Sequence, residues 1–336
     1  LIAAHQFGAS ALALDDTRVY WSTAEWVFDR PELANEIKVV RSCAKADCAG
    51  TVVTYATQQE TTQVTVSATH VFWGAGPDRY QTSNDFNIYA CPISGCVGPP
   101  RVVAKSFHAT GFAIDETSVY WIGDDATVLK CPVEGCQGAP TLVGLLNYGP
   151  PSAALFPPLV VDATHVYLIT GKESPPVSGT IVAIPKDGSA PARTIAEGRP
   201  FPAWLTVDAT NIYWTERHMA GSVRSCPLAG CTGEPTLLAS DQPYPGSLAV
   251  DAERVYWINF RSAVYPPNAG STSGELLACP LSGCGSNPTV LAANQPEPRT
   301  IAIDGTHVYW TTFGEVIDNL LPEIRYDGMV QRIRKR

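Results

Sequence analysis

Three of the six histidines, His5, His108 and His218, stand outside the repeating pattern of this chain. There a neutral imidazole could ligate a metal ion or act as a general base near neutral pH. Glu60 and His108 share one repeat slot, seven residues ahead of a recurring anchor residue, in adjacent copies. They form a candidate acid–base or ligand pair. The same slot holds Gly8, Leu155, Phe201, Tyr244 and Glu297 in the other copies, and a surface tuned to one ligand would vary in this way. Nine residues ahead of the anchor stand Gln6, Gln58, Gln242 and Gln295, with Ser106, Ala153 and Arg199 in the remaining copies. Four glutamines in seven copies read either as a partial ring of amides or as groups that satisfy their own loops' backbone. Other connecting segments carry Glu216, Arg217 and His218, or Asp78, Arg79 and Tyr80. Aromatic rings beside carboxylates and Arg suit a sugar or a peptide, and they equally suit plain solubility. The ligand-binding candidates are therefore Glu60, His108, Phe201, Glu216, His218, Tyr244 and Glu297. His5, His108 and His218 are weak metal candidates. No cofactor is expected, and a divalent metal is possible.

The elements that must position these residues follow from one recurring string. It reads ALALDDTRVYW from Ala11, VTVSATHVFW from Val64, FAIDETSVYW from Phe112 and LVVDATHVYL from Leu159. It continues as LTVDATNIYW from Leu205, LAVDAERVYW from Leu248 and IAIDGTHVYW from Ile301. The anchors are Asp15, Ser67, Asp115, Asp162, Asp208, Asp251 and Asp304. A period of about 40–50 residues built only from strands predicts a β-propeller. The expected fold is all-β: one seven-bladed propeller domain over residues 1–336, with four-stranded blades. In the sixth repeat the strands are expected at Ser247–Asp251, Arg254–Ile258, Gly274–Cys279 and Pro288–Ala292. The last repeat lacks an outer strand, and Leu1–Ala4 precedes the first inner strand at outer-strand spacing. That segment is expected to join the strand around Val330 and close the ring, removing an exposed edge.

All ten cysteines fall in five pairs of identical spacing: Cys43 and Cys48, Cys91 and Cys96, Cys131 and Cys136, Cys226 and Cys231, Cys279 and Cys284. Four read CPxxGC, a tight turn. Local pairing repeated copy by copy points to disulfides in an oxidising compartment; a metal site would need two further ligands, and no His or Cys recurs nearby. The expected location is secreted, periplasmic or cell-surface, and the chain shows no leader, as a mature exported form would not. Lys and Arg number 23 against 32 Asp and Glu, with no basic stripe, so nucleic acid is not an expected partner. No apolar run reaches the length needed to span a bilayer. One carboxylate per anchor turn is too few oxygens for calcium, so the anchor aspartates read as turn-formers. The fourth repeat has lost both cysteines and its Trp, with Leu168 in the latter slot.

The Asp–x–x–x–Val–Tyr–Trp strings resemble the YWTD propellers and, more loosely, TolB- and NHL-type bacterial propellers. The resemblance extends over the whole chain at the level of the repeat. Seven copies, the CPxxGC turns and the lack of an Asp after Tyr–Trp–Thr set this chain apart, so no functional residue is transferred. In a four-stranded blade, the outer-to-inner and second-to-third connections open on one face. The expectation is a non-catalytic module that binds carbohydrate or protein through that face. The alternative is a lyase or hydrolase with a metal or His/Glu site at the channel mouth.

Overall fold

The computed structural model describes residues 1–6, 8–27, 35–57, 60–76, 85–107, 111–123, 126–146, 159–172, 178–260, 273–314 and 328–335. Among them every regular element is a β-strand. The strands form seven antiparallel sheets in which sequence neighbours are also spatial neighbours. Six sheets have four strands and the last has three. The fold is a seven-bladed β-propeller. The fifth blade runs Pro202–Val207 (inner), Asn211–Glu216 (second), Gly221–Pro227 (third) and Thr236–Gln242 (outer). The sixth runs Pro245–Val250, Arg254–Asn259, Ser273–Pro280 and Thr289–Pro296, matching the expected strands with small shifts at their ends.

The chain divides into two compact units, residues 1–105 with 295–336, and residues 106–294. The first holds the seventh, first and second blades. In it the two ends of the chain meet. The Ile2 and Ala3 amides donate to the Val330 carbonyl at 2.8 and 3.1 Å, and the Val330 amide donates back to Ala3 at 2.9 Å. Residues 1–4 thus join the last blade as expected, but through a single bridge, Ala3 with Val330. His5 takes a left-handed backbone conformation (φ 55°), and beyond it the Gln6 amide donates to the Gly328 carbonyl at 2.8 Å, so the contact continues across an irregularity.

The second unit holds the third to sixth blades, and its packing explains the Val–Tyr–Trp string. Successive side chains of a strand point to opposite faces, so each blade sends Tyr one way and Trp the other. Trp214 packs with Leu205 and Ile212 against Tyr167, Ile169 and Ile181 of the fourth blade. Tyr213 turns the other way and packs with Val223 and Leu238 against Trp257 and Leu248 of the sixth. Leu168 stands where a Trp is expected, and that core is filled by Leu146, Leu159 and Ile184.

At the inner-to-second turn, the anchor aspartate acts as a two-sided clamp. One carboxylate oxygen of Asp208 accepts the Thr210 and Asn211 amides at 2.7 Å each, while the other accepts the Tyr213 hydroxyl at 2.7 Å. Asp15, Asp115, Asp162, Asp251 and Asp304 do the same with Tyr20, Tyr120, Tyr167, Tyr256 and Tyr309. The second repeat has Ser67 and Phe72, so acceptor and donor are absent together. The clamp uses both oxygens of each carboxylate, in keeping with the turn-forming reading over calcium.

The cysteines pair as their spacing predicts. Cys43 is bonded to Cys48, Cys91 to Cys96, Cys131 to Cys136, Cys226 to Cys231 and Cys279 to Cys284, with Cα–Cα separations of 4.8 to 5.7 Å. Within each pair the two partners differ in burial. The first ends a third strand and is buried in the core, at Cys43, Cys91, Cys131, Cys226 and Cys279. The second, at Cys48, Cys96, Cys136, Cys231 and Cys284, lies past the turn and is only half-buried. Each staple thus ties a half-buried turn to the core end of a third strand. Their loops also reach the preceding blade. The Cys231 amide donates to Ile195 at 3.1 Å and the Cys284 amide to Leu238 at 2.8 Å. Gly230 and Gly283 (φ 107° and 93°) place the loop backbone against those outer strands, where a side chain would be strained. Two residues beyond the first cysteine slot stand Lys45 and Lys186. Lys45 pairs with Asp304 at 2.8 Å and lies 5.4 Å above the Tyr309 ring. Lys186 pairs with Asp115 at 2.7 Å and lies 5.3 Å above the Tyr120 ring. Leu228 and Leu281 fill the same slot elsewhere.

Candidate functional site

The connections at the opposite end are shaped by a repeated backbone device. The residue ten ahead of the anchor is left-handed at His5, Gly198, Asp241 and Asn294. The residue seven ahead is left-handed at Gly8, Phe201, Tyr244 and Glu297. A non-glycine residue held there costs on the order of 1 kcal/mol and persists only where its surroundings fix it. Here they do. The carbonyls of Phe201, Tyr244 and Glu297 accept the amides of Arg217, Phe260 and Phe313 at 2.8, 3.2 and 3.0 Å. Phe201 and Tyr244 are thereby held at loop tips on neighbouring blades.

Between the two left-handed positions lies the residue nine ahead of the anchor. Its side chain turns inward to the buried Trp. Gln6 accepts the Trp21 indole N–H, and Gln295 that of Trp310, both at 2.9 Å. Thr23 and Thr312, two residues beyond those indoles, leave room for the direct contact. In the fifth and sixth blades that position holds longer side chains, which bridge. Asn259 accepts from Trp257 at 3.0 Å and donates to Gln242 at 3.0 Å. Glu216 accepts from the Trp214 indole at 3.4 Å and from Arg199 Nε at 2.8 Å. The amides at Gln6, Gln242 and Gln295 are therefore structural. Gln58 lies outside the described residues.

Glu216 is 1% exposed, and its other oxygen accepts from Arg224 Nε at 2.9 Å and Ser222 Oγ at 2.7 Å. Burial pushes its carboxyl up, but Arg199, Ser222 and Arg224 outweigh that and hold it below the usual carboxylate range. Glu216 is an internal ion-pair centre. It presents no carboxylate to a ligand, and it cannot serve as the acid–base partner of nearby His218.

What the fifth and sixth blades do present is aromatic and cationic. Phe201 is 39% exposed, and its ring centroid lies 6.3 Å from the His218 imidazole. The His218 carbonyl accepts the Tyr244 amide at 2.9 Å, tying the two loops together. The Arg217 guanidinium lies 5.9 Å from the Trp204 ring and 5.1 Å from the Phe260 ring, themselves 6.0 Å apart. Met219, at the turn tip, is 74% exposed. The turn is tight because the Gly221 amide donates to His218 at 3.0 Å. A Cβ at Gly221 would come within 2.3 Å of the Glu216 carbonyl.

The structure thus brings together Phe201, His218 and Tyr244 of the residues singled out from sequence. Glu297, in the other unit, pairs with Arg299 at 2.7 Å, and Arg299 in turn lies 4.8 Å above the Phe313 ring. His108 and the Glu60 side chain lie outside the described residues. Among the described residues, no three His, Cys, Asp or Glu side chains are grouped to hold a metal ion. The sequence reading missed Trp204 and Phe260. Trp204 had a signal: its slot, four ahead of the anchor, holds Ala11, Gln63, Gly111, Pro158, Ser247 and Thr300 elsewhere, so a Trp is out of character.

No family model matches this chain, and no curated protein matches it in sequence. Solved structures do resemble it. The β-propeller domain of the Trilobed protease from Pyrococcus furiosus superposes with a TM-score of 0.60 at 8% identity, covering 97% of this chain and 96% of that one. The WD40 β-propeller domain of Doa1 gives 0.59 at 11% identity, with 92% of each chain covered. The computationally designed Ika8 protein gives 0.55 at 14% identity, covering 99% of this chain and 98% of that one. At such identities the likeness shows the fold and nothing about ligands.

Proposed function

We propose that this chain is a secreted, non-catalytic binding module of YWTD-, TolB- or NHL-like type, which recognises carbohydrate or protein. Its binding surface is the loop-rich end of the fifth and sixth blades. The observation that carries the reading is the cluster there: Phe201, His218 and Tyr244 together with Trp204, Arg217 and Phe260. Aromatic rings with a guanidinium, fixed by backbone bonds, form the kind of surface that loses little conformational freedom on binding. Glu216, two residues before His218, is neutralised internally and is not available as its acid–base partner. Five cysteine pairs at bonding distance support an oxidising environment and hence export.

Trp204 supplies the test. Among the described side chains it is the one Trp that is not buried. The chain is screened against a glycan array and a panel of extracellular protein domains, and hits are titrated while Trp204 emission and acrylamide quenching are followed. Binding that shields Trp204 and is lost in Phe201→Gly and Tyr244→Gly supports the reading. Binding that is indifferent to both variants moves the site elsewhere.

A further inference from the structure

We infer that the staple turns cap the sheet edge of the preceding blade, and that a thiol reductant opens some of these caps and spares others. The outer strand of a blade is a sheet edge, whose outward backbone groups are open to association with other chains unless covered. The turn of the next blade covers them. Ala239 of the fifth outer strand forms a parallel bridge with Gly285, just past the turn of the sixth blade. The Cys284 amide donates to the Leu238 carbonyl at 2.8 Å, and the Ser240 amide donates to the Gly285 carbonyl at 2.9 Å. The fourth outer strand is met in the same way. Its Ile195 carbonyl accepts the Cys231 amide at 3.1 Å, and Arg193 donates to the Leu228 and Ala229 carbonyls of the turn at 2.8 and 2.6 Å. On the first blade, the Tyr55 hydroxyl donates to the Ile93 carbonyl of the second blade's turn at 2.6 Å.

Two devices hold these turns. In the second, fifth and sixth blades a disulfide does so, and an apolar residue (Ile93, Leu228 or Leu281) stands two past the first cysteine. The fourth blade has no cysteine, yet its turn closes with the same bond, from the Gly188 amide to the Pro185 carbonyl at 3.1 Å. Gly230 and Gly283 make that bond to Pro227 and Pro280 at 2.9 Å. There Lys186 fills the two-past slot and reaches Asp115 at 2.7 Å and the Asp162 carbonyl, while Lys130 donates to the Lys186 carbonyl at 2.7 Å. The lysine does in the fourth blade what the disulfide does elsewhere. The first blade has both devices. Cys43 is bonded to Cys48, and Lys45 pairs with Asp304 at 2.8 Å while its carbonyl accepts from Arg332 at 2.9 Å. Reduction enters through the second, half-buried cysteine of a pair. A thiolate of an external dithiol attacks Cys284, and the S–S bond breaks toward Cys279, which takes up a proton. The reductant's other thiol then displaces Cys284, so two electrons and two protons pass to the pair and the reductant leaves as a cyclic disulfide. The sixth-blade turn then keeps only its non-covalent bonds, whereas the turns of the first and fourth blades keep their lysines.

The test is amide hydrogen exchange, read by mass spectrometry on the whole chain with and without dithiothreitol under native conditions, with alkylation to confirm reduction. Exchange at the Ser240 and Cys284 amides should speed up about tenfold or more on reduction, as a local opening. The buried third strand at Leu276, Leu277 and Ala278 should keep the parent rate, as should the fourth-blade turn at Gly188. Where dithiothreitol does not reach the pair, Cys279→Ser with Cys284→Ser gives the same readout. In the first blade, Cys43→Ser with Cys48→Ser should leave the Lys45 amide, which donates to the Thr17 carbonyl, within about twofold of the parent. Adding Lys45→Leu should open that turn. Unchanged exchange at Ser240 and Cys284 in the reduced chain overturns the cap. An even rise over all strands, the buried ones included, shows a destabilised fold rather than an opened turn and overturns it too. Equal opening of the first and sixth turns overturns the part given to the lysines.

Discussion

Removing the Tyr213 hydroxyl tests the anchor clamp most directly, because the second repeat supplies a natural control. Tyr213 Oη donates to an ionised Asp208 at 2.7 Å. A hydrogen bond to a charged group contributes about 1.5–3 kcal/mol. The half-buried Asp208 can take water instead, so Tyr213→Phe should cost about 1.5 kcal/mol, the lower end. Asp208→Ser should cost more, about 2–3 kcal/mol, because it strands a buried phenol that is only 2% exposed. It also weakens the cap. Ser67, the natural serine in this slot, takes the His70 and Thr69 amides at 3.1 and 3.3 Å, against 2.7 Å for both amides at Asp208. The double variant makes the fifth turn resemble the second. Its cost should fall about 1–1.5 kcal/mol short of the sum of the singles. Urea unfolding at neutral pH, followed by circular dichroism and by Trp emission, measures all three. Additivity within about 0.5 kcal/mol would refute the clamp. A pH series adds a second arm. Burial pushes the Asp208 carboxyl up, but the bonds from Tyr213, Thr210 and Asn211 outweigh it and hold the group below its ordinary value. A carboxyl depressed by folding stabilises above its unfolded pKa of about 3.9 and loses that contribution as pH falls through the folded value. The Tyr213→Phe penalty should therefore shrink in acid.

Further outcomes follow from the same geometry. Lys186→Ala should cost about 1–2 kcal/mol through the lost Asp115 pair and the uncovered Tyr120 ring, while Lys186→Leu should cost under about 1 kcal/mol, since Leu228 and Leu281 fill that slot in other blades; paired thermal melts read the difference. Glu216→Ala leaves Arg199 and Arg224 without their buried partner and should destabilise by about 3–5 kcal/mol, measured by urea unfolding. The joint replacement Cys226→Ser with Cys231→Ser should lower stability by about 2 kcal/mol in the chain-entropy treatment of a short loop. Alkylation and mass measurement of the unreduced parent should find no free thiol, as the structure has none.

The architecture was legible because each blade repeats its own instructions. The anchor aspartate, the Tyr five residues on and the Trp after it are fixed by local spacing and by the alternation of a strand. The cysteine pairs, from Cys43 with Cys48 to Cys279 with Cys284, close within six residues, so sequence separation alone placed them. The joining of Leu1–Ala4 to the strand around Val330 followed from counting strands, although it takes the form of a single bridge, Ala3 with Val330. Side-chain direction in the connections was not legible, because it depends on neighbours far along the chain. Gln6 reaches Trp21 only because Thr23 is short, and Glu216 turns inward because Arg199 and Arg224 converge on it from two other strands. The Trp204–Arg217–Phe260 stack joins three residues from two blades, and no repeat contains it. Sequence determined the blades and their staples, since backbone pairing and periodic burial are properties of single repeats. Tertiary structure decided which polar groups were spent inside and which rings were left outside, since burial of a charge or an amide is settled only when another blade supplies its partner.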